Sequence, residues 1–96
     1  MEIMKCVQIF VTGRVQGVFF RVYTRKFAQS FSDITGYVKN LPNGQVEILA
    51  EGSSESLRKL ADWAKKGGSP GSHVVRTEEK WRDINEREWS GFQITY

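Results

Sequence analysis

At residues 13–21 the chain reads Gly13-Arg14-Val15-Gln16-Gly17-Val18-Phe19-Phe20-Arg21, and this stretch joins an apolar, strand-like run to an amphipathic helical pattern. Glycines in such a loop allow φ values that bring successive backbone N–H groups together, and the helix N-terminus adds a partial positive charge. Arg14 and Arg21 add two full charges, although the helix dipole disfavours a cation in the first turn. A bound anion would remove this conflict, so the stretch predicts an anion-binding loop.

Two interpretations of the loop stay open on these residues alone. The loop lacks the Gly-Lys-Ser/Thr ending of a P-loop and the three-glycine spacing of a dinucleotide fold. It could therefore be an ordinary strand-to-helix connection whose arginines extend into water.

The pattern on both sides of the loop predicts an α+β fold. The order is β-α-β-β-α-β with a short extra C-terminal strand, which is the ferredoxin-like sandwich of an antiparallel sheet with two helices on one face. Alternation and helical spacing place strands at 5–12, 34–40, 46–50, 72–76 and 92–96, helices at 20–31 and 54–66, and a charged loop at 83–88.

Composition limits the class of protein. The 96 residues are expected to form one domain, 1–96, whose net charge of +3 suits small anions but is too evenly spread to indicate nucleic acid. No apolar stretch is long enough to span a bilayer, and the single Cys6 lies in an apolar run. We therefore expect a buried thiol and a cytoplasmic protein that binds neither nucleic acid nor membranes.

Aromatic residues recur at helical spacing in the first helix, at Phe20, Tyr23, Phe27 and Phe31. This spacing predicts a buried stripe, not a surface that stacks on nucleic-acid bases. His73 stands alone and is expected to be a strand residue near the surface. No cofactor or metal site is predicted, because no His/Asp cluster with suitable spacing is present.

The predicted topology brings Asn40 towards the loop. In a split β-α-β unit the first two strands are parallel with the third between them, so their C-terminal ends share one edge. The loop and Asn40 would then lie about 10 Å apart, which is two strand spacings. An asparagine at a strand end also has a structural interpretation, since it can bond to turn backbone.

This arrangement suits transfer of a phosphoryl group to water. Asn40 could hold a water while Arg21 binds phosphoryl oxygens in bidentate fashion. A carboxylate leaving group needs no strong general acid, whereas an ordinary phosphate monoester would call for a metal pair or an activated nucleophile.

Two segments resemble the signatures of the acylphosphatase family. These are residues 13–21 and Gly36-Tyr37-Val38-Lys39-Asn40-Leu41-Pro42-Asn43-Gly44-Gln45-Val46-Glu47, and the likeness covers essentially the whole chain. It departs at Ser32-Asp33, which stands where the family usually has glycine, and at Phe19, a bulky residue at a variable position of the motif.

The resemblance implies metal-free hydrolysis of acyl phosphates to a carboxylate and inorganic phosphate. Arg21 and Asn40 are the implied catalytic residues. The implied phosphate-binding residues form the loop Arg14, Val15, Gln16, Gly17, Val18, Phe19 and Phe20. We expect a monomer with broad acyl specificity. The alternatives are a non-catalytic anion-binding module and an acylphosphatase-like domain of a larger enzyme that uses carbamoyl phosphate.

Overall fold

A computed structural model describes residues 3–96 and contains five strands and two helices in the predicted order. Their bounds are β1 Met4–Arg14, α1 Phe20–Gln29, β2 Thr35–Asn40, β3 Val46–Gly52, α2 Ser54–Lys65, β4 His73–Ile84 and β5 Phe92–Thr95.

The strands form one sheet in the order β4-β1-β3-β2-β5. β3 lies between β1 and β2 and is antiparallel to both, so β1 and β2 end at the same edge, as predicted. The extra C-terminal strand is also present. It pairs parallel to β2, which makes the sheet mixed at this side.

The core lies between the sheet and the two helices, and it follows from alternation along the strands. Val7, Ile9 and Val11 of β1 face the helices and are fully buried. Each such side chain contributes about 1.5–3 kcal/mol when it is removed from water. On α2, the apolar face consists of Leu57, Leu60, Ala61 and Ala64. The ferredoxin-like prediction is confirmed.

The first helix differs from the prediction in two ways. It ends at Gln29 and not near Phe31, whose ring packs against Phe27 after the helix. Tyr23 was predicted to be buried but is 38% exposed. Its position lies at the border of the buried face formed by Phe20, Thr24 and Ala28, where Lys26 covers its ring.

The fourth strand is longer than predicted. It continues from His73 to Ile84, so Asp83 and Ile84 belong to the strand and not to the predicted charged loop. β4 pairs with the full length of β1 but is an edge strand, and most of its charged side chains face water. An edge strand of this kind lacks the regular apolar alternation by which strands are predicted.

The loop between β4 and β5 is fastened to the sheet by Glu51. This buried carboxylate accepts hydrogen bonds from the Thr35 hydroxyl at 2.8 Å and from the backbone N–H groups of Glu88 and Trp89 at 2.9 and 3.2 Å. These bonds direct the chain to the outer side of β2, where β5 pairs.

Cys6 is buried, as predicted, and burial raises the pKa of its thiol. Neither helix within residues 3–96 has the length and apolar character needed to cross a membrane.

Candidate active site

The register between β1 and β4 shifts between Thr12 and Gly13, and the pairing then continues to the end of β1 at Arg14. Gly13 has a φ of 142°, and a Cβ atom built on it would lie 2.0 Å from the backbone oxygen of His73 in β4. Only glycine permits this approach of the two strands. The close contact sets the point at which the chain turns into the loop.

Apolar anchors fix the loop at both ends. Val15 and Phe20 are each 1% exposed and belong to the core, and Val18 packs partly against it. Between the anchors, Gly17 adopts a φ of 75°, a left-handed conformation that glycine reaches without strain. The backbone of the loop is therefore held in place by burial on both sides.

The backbone N–H groups of this loop are available to a ligand. Within residues 3–96, none of the N–H groups of residues 15–20 donates to a backbone carbonyl. Phe19, the residue before α1, provides no side-chain cap, and the first turn of α1 has no acidic residue. Unpaired N–H groups at a helix N-terminus form a favourable site for an anion.

Asn40 ends β2 and reaches the same place. Its side-chain oxygen Oδ1 is buried and has no hydrogen-bond partner. Among the buried side-chain N and O atoms of residues 3–96, it is the only one without a partner. Asn40 and Arg21 both line one pocket of about 300 Å³. A buried carbonyl oxygen without a partner costs about 1–3 kcal/mol, a cost that a bound water would offset.

The predicted residues divide into two groups. Those that line the pocket are Val15, Gly17, Phe19, Phe20, Arg21 and Asn40. The other three, Arg14, Gln16 and Val18, do not line it: Arg14 is exposed at the end of β1, and Val18 packs against the core.

Gln16 has a side-chain contact that sequence reasoning did not foresee. Its amide Nε2 donates to the backbone oxygens of Leu41 at 2.8 Å and Gln45 at 2.9 Å, and so joins the loop to the β2–β3 turn. No signal in the sequence pairs these residues, because the contact depends on the sheet order.

The sequence also did not assign Ile94 and Tyr96 to the site. Both line the pocket, because β5 runs parallel to β2 and ends at the edge where Asn40 lies. The Tyr96 ring centroid lies 5.0 Å from Cζ of Arg21, a cation–π distance. This contact places an aromatic ring directly beside the guanidinium.

A family model described as Acylphosphatase matches residues 7–94. This chain belongs to the acylphosphatase family. An acylphosphatase of Syntrophus aciditrophicus is 42% identical over 93 residues, covering 97% of this chain and 94% of its relative. The crystal structure of acylphosphatase from Bacillus subtilis superposes on this chain with a TM-score of 0.87 and is 36% identical to it in sequence. The match covers 96% of this chain and 99% of that chain.

The same fold occurs inside a longer protein. HypF of T. kodakarensis matches 96% of this chain at 30% identity with a TM-score of 0.78, and the match covers 12% of that protein. Acylphosphatases act on small-molecule acyl phosphates, and the predicted hydrolase class is confirmed at the level of the family.

Proposed function

We propose that this chain hydrolyses the carboxyl–phosphate bond of acyl phosphates without a metal. Arg21 and the backbone of residues 14–20 hold the phosphoryl group, and Asn40 orients the water that attacks phosphorus. The products are a carboxylate and inorganic phosphate. Membership of the acylphosphatase family supports the substrate class.

The observation that carries the proposal is the unpartnered Oδ1 of Asn40 in the pocket that Arg21 also lines. A carbonyl oxygen accepts a hydrogen bond from water, so it can aim a water lone pair towards a phosphorus atom held next to it. A correctly placed nucleophile lowers the barrier because orientation is established before the reaction begins.

Positive charge at the pocket supports the binding of the phosphoryl group. Arg21 is the second residue of α1, in the first turn, where the helix dipole favours an anion and disfavours an unaccompanied cation. A phosphoryl group between the guanidinium and the free N–H groups supplies the anion that the helix dipole favours and a counter-charge for Arg21. A guanidinium can bind two phosphoryl oxygens at once.

The reaction needs little further assistance. A bond forms between the water oxygen and phosphorus while the bond from phosphorus to the acyl oxygen breaks, and the electron pair leaves with the carboxylate. The water proton passes to a phosphoryl oxygen of the substrate. Since the carboxylate is a weak base, it departs without a general acid.

The test is hydrolysis of benzoyl phosphate in excess chelator by the wild type, Asn40→Ala and Asn43→Ala. Asn43 lies in the turn that follows β2, is exposed and does not line the pocket, so it is the matched control. We expect metal-free turnover that falls by about 100-fold or more in Asn40→Ala, the size of effect that misplacement of a reactant produces. Asn43→Ala should remain close to the wild type.

No turnover by the folded wild type would contradict the proposal. If inorganic phosphate still protected that protein against thermal unfolding, the chain would be an anion-binding module.

We further propose that the protein acts as a monomer in the cytoplasm, where its buried thiol remains reduced.

A further inference from the structure

Two exposed aromatic residues line the pocket, and the proposed hydrolysis does not use their rings. Phe19 is 74% exposed and Tyr96 is 97% exposed, and both line the pocket beside Arg21 and Asn40. Exposed aromatic rings retain a large apolar area that a ligand can cover.

Phe19 occupies a conformation that its residue type adopts at a cost. Its φ of 60° is left-handed, and no other non-glycine residue within 3–96 has a positive φ. The ring obtains little burial in return. The backbone at Phe19 thus holds an exposed aromatic ring at the pocket, where a ligand can reach it.

Tyr96 adds a second aromatic ring to the same pocket. Its ring lies over the Arg21 guanidinium, so an apolar surface stands directly beside the group proposed to hold the phosphoryl oxygens. Val22 and Ile94 continue the apolar lining. In an acyl phosphate a single oxygen separates phosphorus from the acyl carbon, so the acyl group must emerge close to these side chains.

We propose that Phe19 and Tyr96 form an acyl-binding subsite that favours aromatic acyl groups over small aliphatic ones. This inference rests on the proposed hydrolysis and names its preferred substrate class. The two rings contact a flat acyl group through apolar and aromatic contacts, whereas an acetyl group is too small to cover them. The subsite therefore selects substrates by their acyl end, which the backbone loop does not contact.

The test compares kcat/KM for benzoyl phosphate with kcat/KM for acetyl phosphate. The variants are Phe19→Asn, Phe19→Tyr and Tyr96→Ser, with Tyr23→Ser as the control. Asparagine enters the left-handed region more readily than most residues, so Phe19→Asn removes the ring while keeping the loop conformation. Tyr23 is an exposed aromatic residue in α1, four residues after Phe19, and does not line the pocket. Circular dichroism verifies that each variant is folded.

We expect the ratio of benzoyl to acetyl kcat/KM to fall about three- to tenfold in Phe19→Asn and in Tyr96→Ser, which is the size of an aromatic contact. Phe19→Tyr should retain the wild-type ratio, and Tyr23→Ser should not change it. A ratio that stays at the wild-type value in both Phe19→Asn and Tyr96→Ser overturns the subsite and leaves the hydrolysis proposal intact. If the wild type hydrolyses neither substrate, both proposals fail.

Discussion

The side chain of Gln16 donates a 2.8 Å hydrogen bond to the backbone oxygen of Leu41, the residue directly after Asn40. The same nitrogen donates to Gln45 at 2.9 Å, so both of its hydrogens are used. One side chain thus joins the proposed phosphate-binding loop, which follows β1, to the residue next to the proposed water-orienting Asn40 at the end of β2.

Gln16→Ala should lower the free energy of unfolding by about 1–3 kcal/mol, because two partly buried hydrogen bonds are lost. It should also lower kcat, with less effect on inhibition by phosphate, because the loop can then shift relative to Asn40. Urea unfolding and initial rates measure the two effects.

Gln29→Ala is the control for Gln16, since Gln29 makes a similar bond to the Phe92 carbonyl oxygen at 3.1 Å outside the pocket. It should lose stability and retain kcat. If Gln16→Ala also retained the wild-type kcat despite the stability loss, the bond would be structural only.

Arg21→Gln should weaken phosphate inhibition and lower kcat/KM by about 10- to 100-fold each, because a hydrogen bond to a charged group is worth about 1.5–3 kcal/mol. The lost charge serves both the bound substrate and the transition state. Arg25→Gln, on the next turn of α1 and away from the pocket lining, should change either value by less than about threefold. Unchanged phosphate affinity in Arg21→Gln would count against the proposed role.

Because the backbone at Phe19 is strained, replacing this residue by glycine is expected not to destabilise the protein. Phe19→Gly should leave the free energy of unfolding equal or raise it by up to about 1 kcal/mol, because glycine adopts the φ of 60° freely. Phe19→Val should lower it by about 1 kcal/mol, since a branched side chain tolerates this region poorly.

Tyr23→Gly is the comparison for Phe19→Gly, because it places glycine inside α1 and should lower stability by about 1 kcal/mol. Thermal unfolding of the three variants measures the differences. A destabilisation by Phe19→Gly as large as that by Tyr23→Gly would show that the ring contributes packing energy.

Much of the candidate site could be predicted from the sequence, because it depends on topology. Once the strand order was inferred, the loop and Asn40 had to reach the same edge, and both line one pocket. The catalytic roles of Arg21 and Asn40 stay predictions until variants are measured.

Contacts between distant polar side chains could not be predicted. Apolar periodicity reports which face of an element is buried, but it does not report which carbonyl Gln16 will reach or that Glu51 will hold the loop before β5. The extent of β4 was missed for a related reason, because its charged residues resemble those of a solvated loop.

Asp33, in the Ser32-Asp33 segment that departs from the resemblance, has a role that the sequence did not suggest. Its carboxylate accepts a 3.0 Å hydrogen bond from the Ser53 N–H and a 2.8 Å hydrogen bond from the Ser56 hydroxyl, and so supports the start of α2. Burial alone would raise the pKa of this carboxyl, but the hydrogen bonds from Ser53 and Ser56 outweigh it and lower the pKa.

Asp33→Asn should therefore lower stability in a pH-dependent way. Because the pKa is lowered by folding, the stabilisation is complete above the ordinary aspartate pKa of about 4 and is lost as the pH falls through the lower folded value. We expect a difference of about 1 kcal/mol at pH 7, typical of a helix-capping bond, which shrinks as the pH falls below the ordinary aspartate pKa and the wild-type carboxyl becomes protonated. Urea unfolding at a series of pH values measures this difference.

Asp62→Asn, at an exposed position in the last turn of α2, is the control and should show no comparable loss at pH 7. A difference between wild type and Asp33→Asn that did not change as the pH was lowered would mean that the carboxylate charge is not what stabilises the start of α2.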